Sequence, residues 1–216
     1  MAVHIPQPSI PSAAVDGVGW GMEQFHHPRP VRNRREATPQ RKQLVEGLSG
    51  RVLELGAGDG VKLTCYPSAV GEIVLAEADP FLRAAARRVA DDVAATVRVL
   101  DGDATRLPVE DASCDAVVCS LVLCCAPRLD PALDEVRRVL RPGGELRFYE
   151  HQRSGNRAVA LAEEMVTPLW SRVCGGCHPA RDVVAAIERA GFVLDRVERF
   201  TLWRVSHVTG RAGLAP

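Results

Sequence analysis

The 216-residue sequence predicts an α/β fold: a Rossmann-like, doubly wound, mostly parallel seven-stranded sheet with a C-terminal antiparallel hairpin. Three observations predict it. Short apolar runs alternate with helical stretches between Val52 and Gly191. The run from Ala116 to Leu121 is nearly continuous apolar, as befits a strand covered on both faces. Glycines and acids cluster where those runs end, which is where open α/β sheets bind ligands.

With 46% apolar content, the chain can bury one large core, and we expect a single domain over residues 38–216. Residues 1–37 read as a flexible, basic arm able to act as an active-site lid. They contain Arg29, Arg32, Arg34 and Arg35, continued by Arg41 and Lys42. Lys plus Arg and Asp plus Glu are both 27, which gives no hint of nucleic acid or an anionic membrane, and neither is expected as partner. Pro6, Pro8 and Pro11 do not resemble a secretory leader, and the longest apolar run is too short for a membrane span. The seven cysteines form no disulfide framework, so a reducing cytoplasmic compartment is expected.

In chain order, Thr38-Pro39 starts a helix that Gly50 ends. Val52 to Leu55 is a buried strand, followed by the turn Gly56-Ala57-Gly58-Asp59-Gly60. Lacking Cβ atoms, these glycines let a charged small molecule approach the backbone. Val61 to Tyr66 is a short helix or turn stopped by Pro67. Ile73 to Glu77 is the next strand, and Glu77 stands where a ribose-binding carboxylate belongs in a nucleotide-binding βαβ unit. Asp79 can cap the helix Pro80–Ala90. Val97 to Leu100 is a strand before Asp101-Gly102-Asp103-Ala104, where Asp103 can accept from an adenine amino group or cap a helix.

Cys114 to Leu121 is the fourth strand, and Cys119, Cys124 and Cys125 read as small hydrophobes. Asp130-Pro131 opens a helix ended by Arg141-Pro142-Gly143-Gly144, and Glu145 to Glu150 is the fifth strand. Helices over 158–170 and 179–190 precede two extended segments, 192–200 and 202–208.

The motifs Glu54-Leu55-Gly56-Ala57-Gly58-Asp59-Gly60, Asp103-Ala104, Cys114 to Val118 and Val139 to Gly144 resemble those of class I S-adenosylmethionine (SAM) methyltransferases. Tyr66-Pro67, Ser120 to Cys124, Tyr149-Glu150-His151 and Gly175 to His178 are similar to the thiol S-methyltransferase branch and its soluble bacterial relatives. The chain's start lacks the apolar anchor of the animal enzymes, which favours a soluble protein. The resemblance implies SAM as cofactor and S-adenosylhomocysteine as product. It carries cofactor contacts onto Glu54, Gly56, Ala57, Gly58 and Gly60, onto Glu77 and Ala78, and onto Asp103, Ala104, Ser120 and Leu121. It implies a small thiol acceptor. A small-molecule oxygen or nitrogen acceptor, or a non-catalytic SAM-binding module, is the alternative. A monomer or homodimer is expected.

A thiol acceptor must lose its proton, and histidine can take one near neutral pH. His151 follows the fifth strand and is the first candidate base, with His178 and His207 beside it; ordering the strand end is the other reading of His151. Tyr66, His26 and Cys177 are candidate substrate contacts. Cys174 and Cys177 form a C-x-x-C next to His178, but no second pair follows and adjacent Cys177 and His178 suit one ion poorly. No metal is expected; a redox pair or a cavity-lining turn fits that cluster better.

Overall fold

A computed structural model describes residues 36–214. Its strands are β1 (Gly50–Leu55), β2 (Val70–Ala76), β3 (Thr96–Leu100), β4 (Cys114–Ser120), β5 (Leu140–His151), β6 (Phe192–Leu202) and β7 (Val205–Leu214). They form one sheet in the order β3-β2-β1-β4-β5-β7-β6, with β7 antiparallel to both its neighbours and the other pairs parallel. The chain steps outward from β1 to β3 and then returns to pair β4 with β1. That reversal opens the crevice in which such sheets seat ligands, at the C-terminal ends of β1 and β4.

Side-chain alternation along each strand feeds a core on either face. Leu53 and Leu55, with Val117 and Cys119, pack beneath helices α3 (Leu129–Val139) and α5 (Val183–Arg189), whose Leu133, Val136 and Ile187 are fully buried. Val52, Ala116 and Val118 face the opposite way, toward α1 (Pro39–Val45) and α2 (Pro80–Ala90). Glu54 shares that second face and is fully buried, so the strand carries a carboxylate inside an apolar layer. The remaining helix, α4 (Arg157–Val173), leaves Leu161, Met165 and Leu169 exposed. Among the described residues, no helix is long and apolar enough to cross a membrane.

Several boundaries differ from the sequence reading. Helix α5 begins at Val183 rather than at 179, because Asp182 is its cap: its Oδ1 accepts from the Ala185 N–H at 3.0 Å. Strand β5 begins at Leu140, running through the Pro142-Gly143-Gly144 stretch. The hairpin bends at Trp203-Arg204, two residues with φ of 53° and 64°, and β7 extends to Leu214. A two-residue hairpin turn with both φ positive normally uses Asn or Gly, which is why the sequence offers no signal for it. The arm over residues 1–35, including His26 and the arginines before Glu36, lies outside the described residues.

Candidate active site

The glycine turn leaves the tip of β1 with Gly56, Gly58 and Gly60 all at positive φ, 62°, 63° and 79°. The three differ in what surrounds them. A Cβ on Gly56 would fall 2.6 Å from Val122 Cγ2, and one on Gly60 would fall 3.2 Å from the Ala86 backbone. A Cβ on Gly58 would meet nothing within 4 Å. Gly56 and Gly60 are therefore bare for the protein's own packing, whereas Gly58 borders open space.

Glu77, at the tip of β2, is buried and turned toward this bend. Its Oε2 accepts from the Gly58 N–H at 2.8 Å and its Oε1 from the Asp79 N–H at 3.0 Å. Arg83 braces the same turn, donating to the carbonyls of Glu77 and Ala78 and to Asp101. Asp79 takes the capping role, accepting from the N–H groups of Phe81 and Leu82. The two neighbouring acids thus divide the work, Asp79 capping the helix and Glu77 meeting the glycine turn.

Asp103 is exposed and closes its own turn, its Oδ1 accepting from the N–H and hydroxyl of Thr105 at 2.6 and 2.7 Å. Ser120 ends β4, and its buried Oγ has no partner among the described residues. An open cradle at Gly58, a carboxylate at the β2 tip and a buried hydroxyl left over at the β4 tip fit an adenosyl ligand laid across the crevice. A cavity of about 330 Å³ against α1, lined by Gln43, Leu44 and Arg147, shares none of these residues.

The resemblance puts a cofactor contact on Glu54, and within the chain this carboxylate has two partners of its own. Both its oxygens are engaged: Oε1 pairs with Lys62 Nζ and Oε2 accepts from the Tyr66 hydroxyl, each at 2.7 Å. Burial, then the Glu54 charge, raises the Tyr66 pKa well above its ordinary value, so the phenol stays a donor. Glu54 fastens the segment 60–66 to β1, and Tyr66 belongs to that clasp. Lys62 escaped notice in the sequence; a lysine eight residues after the strand acid was the available signal.

Glu150, noted in sequence only within Tyr149-Glu150-His151, organises the turn after β4. Its Oε1 accepts from the N–H groups of Val122 and Leu123, both at 3.1 Å, and Oε2 from that of Cys124 at 3.0 Å. Burial pushes the carboxyl up to about 7 against those donors. The clamp holds a turn whose first residue, Leu121, sits at φ 55°, a costly conformation for leucine.

The three candidate histidines separate. His178 Nδ1–H donates to the Gly176 carbonyl at 2.6 Å. His207 Nδ1–H donates to the Val205 carbonyl at 2.8 Å, which leaves the ring's lone pair on Nε2. The His207 ring stacks with Tyr149 and Phe200, each at 5.6 Å, and burial lowers its pKa. His151 lies 4.7 Å from His207, ring to ring, and its Nδ1 is 2.9 Å from Cys177 Sγ and 3.4 Å from Cys124 Sγ. The Cys177 thiol thus meets Cys124 and His151. Hydrogen bonds from Cys124 and Cys125 hold its thiol down to about 4.

A methyltransferase domain model matches residues 53–148. Human thiol S-methyltransferase TMT1B is 34% identical over 172 residues, covering 77% of this chain and 70% of that protein. Two solved structures share the fold. The YcgJ protein of Bacillus subtilis matches at TM-score 0.67 and 16% identity, covering 81% of this chain and 97% of that one. An S-adenosylmethionine dependent methyltransferase from Mesorhizobium loti matches at TM-score 0.65 and 18% identity, covering 81% and 95%.

Proposed function

The chain belongs to the class I SAM-dependent methyltransferases, and from that premise we propose that it methylates the sulfur of a small thiol. Bound SAM supplies a methyl group on a sulfonium, open to in-line displacement by a nucleophile. In this reading the Gly58 backbone takes the amino-acid end of the cofactor, Glu77 the ribose hydroxyls, and the Asp103-Ala104 turn the adenine. Glu54 acts through Lys62 and Tyr66, holding the segment 60–66 across the ligand and keeping water out.

On the acceptor side, the stacked rings of Tyr149, Phe200 and His207 offer an apolar, polarisable wall suited to sulfur. With its Nδ1 proton turned to Val205, His207 has Nε2 to accept a hydrogen bond from an acceptor S–H. The enzyme's contribution is then mainly orientation of two reactants, which accounts for large rate factors without further chemistry.

The observation that carries the sulfur assignment is the relationship to thiol S-methyltransferases, 31–36% identical over 69–77% of this chain. The test is a competition assay with SAM and equimolar small thiols, phenols and amines, read by mass spectrometry. Methylthioether should form with a kcat/KM at least about tenfold above the other products, a transition-state preference of about 1.4 kcal/mol. Product on oxygen or nitrogen alone would move the acceptor assignment, and SAM binding without any turnover would leave a binding module.

A further inference from the structure

We propose that the thiols of Cys124, Cys125 and Cys177, with the imidazole of His151, form a zinc site that ties together the three chain segments on the acceptor side of the sheet. The inference is independent of which acceptor the enzyme uses. It also replaces the sequence expectation of no metal, which considered only the Cys174, Cys177 and His178 stretch.

Geometry is the first argument. The three sulfurs lie within 4.8 Å of one another, with Cys124 to Cys125 at 3.7 Å and Cys124 to Cys177 at 3.9 Å. A tetrahedral zinc with Zn–S of about 2.3 Å and Zn–N of about 2.0 Å requires S···S of about 3.8 Å and S···N of about 3.5 Å. His151 Nδ1 stands 3.4 Å from Cys124 Sγ, on that spacing, and 2.9 Å from Cys177 Sγ; it lies outside the three-sulfur cluster, so it completes the tetrahedron by swinging away from Cys177 and toward Cys125 as the ion enters.

Donor chemistry is the second. Three thiolates and one imidazole select zinc over the hard, oxygen-seeking cations, and four protein donors leave no open coordination position. The site is therefore structural, standing beside the reacting groups rather than acting on them.

Support around the donors is the third argument. Glu150 receives the Cys124 N–H, while the Cys124 carbonyl accepts from the His178 N–H at 2.9 Å. Arg181 spreads its guanidinium over the same turn, donating to the carbonyls of Leu123 at 2.9 Å and Ala126 at 2.7 Å. The turn bearing Cys124 and Cys125 is thus fixed from both sides, with a cation beside a site that gathers negative charge; metal ligands are commonly oriented by such neighbours. The donors come from the turn after β4, the end of β5 and the turn after α4, so one ion closes loops spanning 53 residues, Cys124 to Cys177. Clips of that length give up the most unfolded-chain entropy.

The test reads metal and not activity. The full-length chain, purified without a metal-binding tag under a non-chelating reductant and supplied with zinc chloride, should hold about one zinc per chain. Replacing zinc with cobalt should give the thiolate charge-transfer and tetrahedral ligand-field bands of a sulfur-rich site. Cys125→Ser and Cys177→Ser should lower zinc content or affinity about tenfold or more, while Cys174→Ser keeps it. Should a serine variant not fold, the cobalt spectrum of the unmutated chain decides alone. Folded protein that takes up no zinc, cobalt bound without thiolate bands, or zinc retained in folded Cys177→Ser would overturn the proposal. Loss of thiol methylation with zinc retained would count only against the acceptor assignment.

Discussion

Gly58→Ala, set beside Gly56→Ala, separates a glycine kept for a ligand from one kept for packing. Both residues sit in the left-handed region, at φ 63° and 62°, so a Cβ costs about 1–2 kcal/mol of backbone strain at either position. At Gly56 the new carbon would fall 2.6 Å from Val122 Cγ2 and 2.9 Å from Val122 Cβ. Overpacking of that kind adds about 1–3 kcal/mol, for a total of about 2–5 kcal/mol. At Gly58 nothing lies within 4 Å, so the stability cost stops at the strain. For a domain of this size the Gly58 variant should lose about 2–8 °C in Tm and the Gly56 variant about 4–20 °C. Binding should reverse the ranking relative to stability. A methyl group in the cradle costs the cofactor at least about 1.4 kcal/mol, so S-adenosylhomocysteine affinity should fall about tenfold or more in Gly58→Ala. Gly58→Val should abolish binding. Calorimetric titration at a temperature where every variant is folded, paired with thermal melts, makes the comparison. Unchanged affinity in Gly58→Val would refute the assignment of this bend as the cofactor seat.

Further outcomes test the walls of the crevice and the base of the sheet. Lys62→Met strands the buried Glu54 carboxylate and should cost about 3–5 kcal/mol in urea unfolding. Adding Glu54→Gln should recover part of that loss, and a single-variant cost no larger than that of a surface pair would show Glu54 to be hydrated. Glu150→Gln leaves at least one of three N–H donors without its acceptor, a loss of about 1–3 kcal/mol, and hydrogen exchange should quicken at Leu123 and Cys124 before it does in β1. Asp115 gives a pH signature. Burial pushes its carboxyl up, but the Arg51 N–H and the Arg141 guanidinium, both at 2.7 Å, together hold its pKa below the ordinary value. A native pKa below the unfolded value of about 3.9 means stability that is present above that pH and lost as the pH falls through the native pKa. The acid-side loss should accordingly be shallower in Asp115→Asn, measured by unfolding at pH 5 and pH 3.

Much of the crevice was legible because its parts are local. The glycine turn follows its strand directly, and Glu77 and Ser120 stand at strand ends that apolar runs define unaided. Cofactor recognition by backbone and strand tips leaves marks of this sort in one dimension. The clasp was harder to read, because Lys62 and Tyr66 reach Glu54 only once the segment 60–66 folds back over the strand. Glu150 was hidden for a similar reason, since its three donors lie 26–28 residues upstream and meet it only when β4 and β5 pair. The cysteine cluster was not visible in sequence for want of spacing. The C-x-x-C drew attention to Cys174, whereas topology gathers Cys124, Cys125 and Cys177 from distant turns. Asp79 was legible as well, since an acid just before Pro80 reads as a helix cap, and it accepts from the Phe81 and Leu82 N–H groups.

The central claim is that the cofactor lies across the C-terminal ends of β1 and β2, on Gly58 and Glu77. A crystal structure grown with S-adenosylhomocysteine tests it most directly. The account predicts ribose hydroxyls on the Glu77 carboxylate, adenine beside Asp103-Ala104 and the amino-acid tail over Gly58. A ligand bound in the α1 cavity instead, or a glycine turn closed against its own side chains with the ligand elsewhere, would contradict it.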